Sequence, residues 1–266
     1  MQRRLTLVIG KGGVGKTTVA RGFAERAGRE SKRPLVMEFD GDPRSREPNI
    51  SSFDVEVADG NAALRSVAAE ILGSRRLAGA LLSHAAIRQL ATVVPGLREV
   101  ALLVIAMRHV ETGRHIIVDM PATGHGLAWF DTVRLLRALE PSGRARSLIE
   151  EVHAMLADRE LTKIAVVTLG ERLVMNETRE LCRALPRPPD LVVINGVHRP
   201  PQIPADVLAA VGQLPGRAAA MSSLRAWLTP SEPLPRFGDA ICEVMRYPRA
   251  PTSSEIARVL DREVAW

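Results

Sequence analysis

The sequence predicts an α/β fold of three layers, in which a mostly parallel central sheet lies between helices. The first observation is a short strand-like run, "RRLTLVI" (3–9), that leads through a glycine-rich turn into an amphipathic helix (17–30). The second is the alternation of further apolar runs with helical patterns along the chain. Such alternation is typical of parallel strands whose crossover helices cover both faces of the sheet.

Composition predicts one soluble domain over residues 1–266 and excludes several classes of protein. Hydrophobic residues make up 46% and charged residues 25%, and no apolar run is long enough to cross a membrane. The two cysteines lie far apart, which argues against zinc and disulfide frameworks, so we expect a cytoplasmic protein without stable membrane insertion. The net charge is +6, but the basic residues are scattered and only 3% are aromatic, so we expect no nucleic-acid partner.

The segment 10–17 matches the phosphate-binding pattern G-x-x-x-x-G-K-[ST] between a strand and a helix. Its glycines let backbone N–H groups converge on phosphates, and the helix adds its positive N-terminal dipole. Lys16 is expected to reach the β- and γ-phosphates, and the Thr17 hydroxyl to ligate Mg²⁺. The expected nucleotide-binding residues of this loop are Gly12, Gly13, Val14, Gly15, Lys16, Thr17 and Thr18.

A second lysine, Lys11, distinguishes this loop. Only four of the 36 basic residues are lysines, and two of them lie inside one six-residue stretch of the loop, at positions 11 and 16. The stretch "KGGVGKTT" resembles the deviant P-loop of the ATPase class that includes MinD, ParA, the nitrogenase iron protein and the arsenite-transport/guided-entry ATPases. The resemblance implies that Lys11 reaches across a dimer interface to the phosphates held by a partner subunit, as an arginine finger would. Lys11 and Lys16 are thus both expected to be catalytic.

The stretch "RPLVMEFDGDPRS" (33–45) reads as a buried strand that ends in acidic residues. Asp42 and Pro43 resemble the first switch of this class, in which the aspartate orients the attacking water, so Asp42 is the third expected catalytic residue. Asp40 is a competing candidate, unless it only terminates the strand. Arg44-Ser45 departs from the small-His pair that usually follows the proline in the guided-entry branch.

The stretch "HIIVDMPATGHGL" (115–127) points to one branch of the class. Its strand ends at Asp119, a Walker B-like aspartate expected to hold Mg²⁺ through water. The following residues resemble the second switch of the arsenite-transport/guided-entry branch, with the proline one place early. The resemblance assigns to this switch Pro121, Thr123, Gly124 and His125. Whether His125 senses nucleotide or only packs stays open.

Two later stretches extend the same resemblance. "VVTLGERLVMNETREL" (166–181) is similar to the branch's strand and loop, and "LVVING" (191–196) ends in Asn195, which in the family hydrogen-bonds adenine. A plain turn residue before glycine is the alternative for Asn195. "ICEVMRYPRAP" (241–251) resembles the last strand and the adenine-side loop, so Pro248 and Arg249 are expected nearest the base.

Helical patterns dominate residues 59–110 and 126–157, which predicts a small helical subdomain. In guided-entry ATPases this region forms a methionine-rich groove for a client helix; here it is short and its methionines are dispersed, which favours ordinary helix cover for the sheet. The C-terminal segment 253–266 predicts an amphipathic helix. Its mixed charges favour packing onto the sheet over a membrane-surface role.

Taken together, the resemblance implies a cytoplasmic switch ATPase that hydrolyses ATP with Mg²⁺ at a subunit interface and controls the binding or targeting of an unidentified protein client. It implies a homodimer or a heterodimer with a related ATPase. Two alternatives stay open: a ParA- or MinD-like positioning ATPase, and a nucleotide-binding regulatory subunit of a heterodimer with a paralogous ATPase.

Overall fold

The computed structural model describes residues 4–29, 33–39, 52–84, 96–122, 128–197, 241–245 and 251–263. Within these ranges the chain forms one sheet of seven strands. They are β1 (Leu5–Gly10), β2 (Leu35–Glu38), β3 (Asp54–Val57), β4 (Ile116–Asp119), β5 (Thr162–Leu169), β6 (Leu191–Val197) and β7 (Ile241–Met245).

The strands lie in the order β3-β2-β4-β1-β5-β6-β7, and every neighbouring pair is parallel. The chain starts at the centre with β1, builds one side of the sheet through β4, and then builds the other side from β5. The strand order therefore reverses next to β1, and in open α/β sheets ligands bind beyond the carboxyl ends of the strands at such a point.

Eight helices are present in the described ranges. They are α1 (Lys16–Ala27), α2 (Gly60–Leu72), α3 (Arg75–Ser83), α4 (Leu97–Glu111), α5 (Ala128–Ala138), α6 (Gly143–Ala157), α7 (Arg172–Ala184) and α8 (Ser253–Glu263). The helices α1 and α8 cover one face of the sheet, and α4 to α7 cover the other. The predicted three-layer α/β fold is confirmed, and in the described residues its sheet is wholly parallel.

The two apolar cores follow from the alternation of side chains along each strand. In β1, Leu5, Leu7 and Ile9 pack toward the helices α4 to α7, whereas Val8 packs toward α1. Strands buried on both faces read as nearly continuous apolar runs, which is why β1 was recognisable in the sequence.

The helices of the region predicted to form a helical subdomain make two kinds of contact. Helix α4 contacts β4 and α6 contacts β5, whereas α2 and α3 contact other helices and each bury a single alanine, Ala63 and Ala78. Several helices of this region are therefore part of the sheet's cover. A separate helical subdomain over 59–110 with 126–157 stays a prediction.

The C-terminal helix α8 packs against α1 and β7, as the sequence favoured. Ile256 and Leu260 are fully buried in the core on the α1 face. Arg26 of α1 extends along α8, where it donates to the carbonyl of Leu260 at 2.8 Å and pairs with Asp261 at 3.0 Å. None of the helices in the described ranges is long and apolar enough to cross a membrane.

Candidate functional site

The glycine-rich loop connects the end of β1 to the start of α1, at the point where the strand order reverses. Gly13 and Gly15 have φ angles of 80° and 90°, a left-handed region that side chains with a Cβ rarely adopt. Gly15 is also sterically restricted, because a Cβ there would lie 2.3 Å from the amide nitrogen of Asn195. The loop therefore needs glycine at these positions to adopt this backbone conformation.

Thr17 and Asp119 form the oxygen-rich side of this site. The Thr17 hydroxyl donates to Oδ2 of Asp119 at 2.5 Å, while the other carboxylate oxygen, Oδ1, is buried without a hydrogen-bond partner among the described residues. Burial raises the pKa of Asp119 to about 6, against the lowering effect of the Thr17 hydrogen bond and the Lys16 charge. An unsatisfied buried carboxylate oxygen beside a hydroxyl fits a hard divalent cation such as Mg²⁺.

A second buried carboxylate, Glu38, lies beside Asp119 on the neighbouring strand. The register pairs Glu38 of β2 with Asp119 of β4, so both side chains face α1. Arg21 of α1 donates from Nε and Nη2 to Oε1 of Glu38 at 3.1 and 2.9 Å, and both side chains are largely buried. The arginine thus compensates a charge that would otherwise lie next to Asp119.

Both lysines of the loop contact oxygen atoms of their own chain. Lys16 Nζ donates to the carbonyl oxygen of Lys11 at 3.1 Å. Lys11 Nζ donates to both carboxylate oxygens of Glu177 on α7, at 2.7 and 2.5 Å. The ammonium of Lys16 therefore stays at its own loop, whereas that of Lys11 extends away from it.

Asn195 lies against the same loop rather than in a free turn. Its side-chain amide donates to the carbonyl of Val14 at 2.9 Å, which ties β6 to the loop. An adenine contact by Asn195 stays a prediction. If adenine binds there, the amide would hold the base next to the segment that holds the phosphates.

Pro121 is half-buried directly after β4, and its neighbour Ala122 approaches the loop: a Cβ at Gly12 would lie 3.5 Å from the Ala122 Cβ. The segment that begins the predicted second switch thus starts beside the phosphate-binding loop. The remaining expected site residues lie outside the described residues. These are Asp40, Asp42, Pro43, Thr123, Gly124, His125, Pro248 and Arg249.

The structure thus brings Asp119 and Asn195, which are distant in the sequence, to the loop that carries Lys11, Lys16 and Thr17. Backbone N–H groups of a glycine loop, an ammonium and a hydroxyl–carboxylate pair can bind a polyphosphate and its metal ion. Sequence reasoning missed three residues of the site: Arg21 and Glu38, which form a pair, and Glu177. For Glu38 a signal existed, since an acidic residue directly after a buried apolar run is unusual.

Comparisons with known proteins agree with this arrangement. The family model described as "anion-transporting ATPase" matches residues 3–140. The ATPase BagA of Mycobacterium tuberculosis (strain H37Rv) is 27% identical over an alignment of 293 positions, gaps included, which covers 97% of this chain and 84% of that protein. The protein Mb3704 of Mycobacterium bovis, also named as an ATPase, shows the same identity and coverage. The chain belongs to the anion-transporting ATPase family, and it is an ATPase.

Proposed function

We propose that the chain is a Mg²⁺-dependent switch that binds ATP between two subunits and thereby controls the binding or targeting of a protein partner in the cytoplasm. The observation that carries the proposal is the outward direction of the Lys11 side chain. Lys16 already supplies the ammonium that the loop's own phosphates need, whereas Lys11 points outward with 47% of its side chain exposed. A second ammonium directed away from its own site suits a nucleotide held by another subunit.

In the proposed reaction, the loop N–H groups and Lys16 bind the β- and γ-phosphates and fix their orientation. Asp42 orients a water molecule for in-line attack on the γ-phosphate, and Lys11 of the partner subunit neutralises the charge that develops in the transition state. Asn195, Pro248 and Arg249 enclose the adenine. Most of the catalysis then comes from positioning and electrostatics.

Thr17 would hold Mg²⁺ directly, and Asp119 would hold it through water. The unpartnered Oδ1 of Asp119 is the observation that supports this assignment. When bound, the cation would supply positive charge that offsets the charge of the phosphates. The Thr17–Asp119 hydrogen bond keeps the two oxygen ligands together before nucleotide arrives.

The surface beside Lys11 suits a second copy of the chain. Leu173, near the start of α7, has 69% of its side chain exposed and lies one helical turn before Glu177, the residue that Lys11 contacts. An exposed leucine next to a nucleotide site becomes buried if two sites face each other. Hydrolysis would then loosen this interface, and the affinity for the client would change with the bound nucleotide.

Mixing two inactive variants tests whether Lys11 acts in trans. Lys11→Ala and Lys16→Ala should each abolish most ATP hydrolysis. In a mixed dimer, the site on the Lys11→Ala chain keeps its own Lys16 and receives Lys11 from the Lys16→Ala chain. An equimolar mixture should therefore recover at most roughly a quarter of wild-type activity, the value for random pairing, in which half of the dimers are mixed and each has one intact site; weaker ATP-dependent assembly of the Lys16→Ala chain lowers this value.

The matched control replaces the Lys11→Ala chain with the Lys11→Ala/Lys16→Ala double variant, which gives no intact site in any pairing. Steady-state phosphate release measures all the mixtures. Recovery of ATP hydrolysis in the test mixture, but not in the control mixture, supports action of Lys11 in trans. If the test mixture is as inactive as the control, Lys11 does not serve a second copy of this chain.

A further inference from the structure

The contact between Lys11 and Glu177 joins the phosphate-binding loop to α7 across 166 residues of sequence. The ammonium of Lys11 lies within hydrogen-bonding distance of both carboxylate oxygens. Both side chains are close to half exposed, so solvent, salt and ligands can reach the pair. The lysine that the proposed function assigns to a partner's nucleotide is thus bound to its own chain.

Buried neighbours fix the backbone position of Glu177. The adjacent Thr178 is buried, and its hydroxyl donates to the hydroxyl of Thr168 on β5 at 2.7 Å. Met175 is buried against the same part of the sheet. Strand β5 pairs in turn with β1, and Val167 lies opposite Gly10 at the start of the loop. Packed secondary structure therefore holds the backbone of Glu177 near the loop, within reach of Lys11.

We propose that Glu177 is a positioning residue for Lys11: it retains the ammonium within its own subunit until a partner's nucleotide displaces it. The inference rests on the proposed function, because the displacement matters only if Lys11 acts in trans. The carboxylate and the partner's phosphates compete for one ammonium. Assembly of two nucleotide-bound subunits then requires Lys11 to exchange one anion for another.

The strength of the contact suits a releasable restraint. An exposed ion pair shifts an equilibrium only about two- to five-fold. Several phosphate oxygens in a water-poor interface attract an ammonium more strongly than one solvated carboxylate does. Ions also screen an exposed pair, so the restraint should largely disappear near 1 M salt. Glu177 should therefore tune assembly without preventing it.

The first measurement tests the restraint itself, in the nucleotide-free chain. Brief acetylation followed by peptide mass spectrometry reports how often each lysine amine is available, and only four lysines have to be resolved. Glu177→Gln should raise the acetylation rate of Lys11 about two- to five-fold. The matched control is Glu180→Gln, which removes the same charge from an exposed position on α7 and should leave the rate unchanged.

The second measurement tests the consequence. Sedimentation with Mg²⁺ and a non-hydrolysable ATP analogue gives the dimer dissociation constant. Because each dimer releases two Lys11–Glu177 pairs, Glu177→Gln should lower this constant by the square of the single-pair effect, roughly four- to 25-fold, at low salt and not at 1 M salt. In a Lys11→Ala background, Glu177→Gln should have no effect, because the group that it restrains is gone. If Glu177 had a purely structural role, the effect of Glu177→Gln on the dissociation constant would persist at 1 M salt and in the Lys11→Ala background.

The two measurements separate the possible failures. Equal acetylation of Lys11 in wild type and Glu177→Gln overturns the inference. Faster acetylation without any analogue-dependent dimer supports the restraint and contradicts the proposed dimeric switch. Faster acetylation together with an unchanged or weakened dimer shows that Glu177 does not oppose assembly, which also overturns the inference.

Discussion

At the scale of single residues, α1 presents two donors one turn apart, and each meets a buried carboxylate at the end of a strand. Thr17 donates to Asp119 on β4, and Arg21 donates to Glu38 on the adjacent β2. Burial raises the pKa of Asp119, and because the two acidic side chains are register partners, the charge of Glu38 raises it further. The charge of Arg21 lowers the pKa of Asp119 and so offsets part of this effect.

A second polar group lies at the opposite end of the sheet, where the strands begin. His115 is buried beside Thr6, with Nε2 and the threonine hydroxyl 3.0 Å apart. Burial, and then the charge of the equally buried Lys163, lower the pKa of His115 from 6.5 to about 4. The ring therefore stays neutral in the folded chain at pH values where it is charged in the unfolded one.

This pKa difference predicts a pH dependence of stability. As the pH falls below 6.5, the unfolded chain binds the proton first, so the free energy of unfolding decreases until about pH 4. The contribution of His115 should be a loss of about 2 kcal/mol between pH 7 and pH 5. Urea unfolding of wild type and His115→Asn should show it, with the variant losing that much less stability over the interval.

The comparison with the variant is necessary because Asp119 acts in the opposite direction. Its raised pKa means that the folded chain binds a proton first as the pH falls, which adds stability between about pH 6 and pH 4. The difference between wild type and His115→Asn removes this shared contribution. Parallel pH profiles for the two proteins would contradict the assignment to His115.

At the scale of elements, the close approach of α1 and α8 depends on Gly22. A Cβ at this position would lie 2.3 and 2.6 Å from Cγ2 and Cβ of Ile256, whose side chain is fully buried. Gly79, inside α3, has no atom within 4 Å of a built Cβ. Both glycines lie inside helices, but only Gly22 is packed closely against another helix.

The same substitution should therefore have opposite effects at the two sites. Gly22→Ala should lower the free energy of unfolding by about 1–2 kcal/mol, because overpacking outweighs the helix preference of alanine. Gly79→Ala should raise it by about 0.5–1 kcal/mol, since only the helix preference acts. Denaturant unfolding measures both. A stabilised Gly22→Ala protein would show that α8 does not pack closely on α1.

Most elements could be predicted from the sequence because their apolar patterns are strong. The continuous runs of β1, β4, β5 and β6 and the helical periods of α1 and α4 matched the structure within a few residues. Strand β3 was missed. Its segment "DVEV" alternates acidic residues with valines and lies at the sheet edge, where Val55 is 40% exposed, so it lacks the apolar character of the other strands.

The parts of the site that come from one continuous stretch of sequence could be predicted. The parts that depend on contacts between residues distant in sequence could not. The glycine loop, Lys16 and Thr17 form one continuous motif, and Asp119 follows a recognisable strand. By contrast, the partners in Arg21–Glu38 and Lys11–Glu177 come together only when strands and helices pack. A charged side chain in a single sequence does not reveal which opposite charge it will meet.

At the scale of the whole molecule, the fold places the loop, the Thr17–Asp119 pair and Lys11 at the carboxyl edge of one parallel sheet. That edge is where a second copy would have to bind to share a nucleotide. The family assignment and the ATPase activity do not depend on this assembly. The proposed switch does, because without a shared nucleotide Lys11 has no partner's phosphate to contact.

The measurement that tests this claim most directly is the solution mass of an Asp42→Asn variant by light scattering, with and without Mg²⁺ and ATP. The substitution should slow hydrolysis and trap the ATP-bound state. The account predicts an ATP-dependent change from the chain mass of 28.9 kDa to twice that value, abolished by the additional Lys16→Ala substitution. A mass that stays at 28.9 kDa at every protein concentration, with ATP bound, would contradict it.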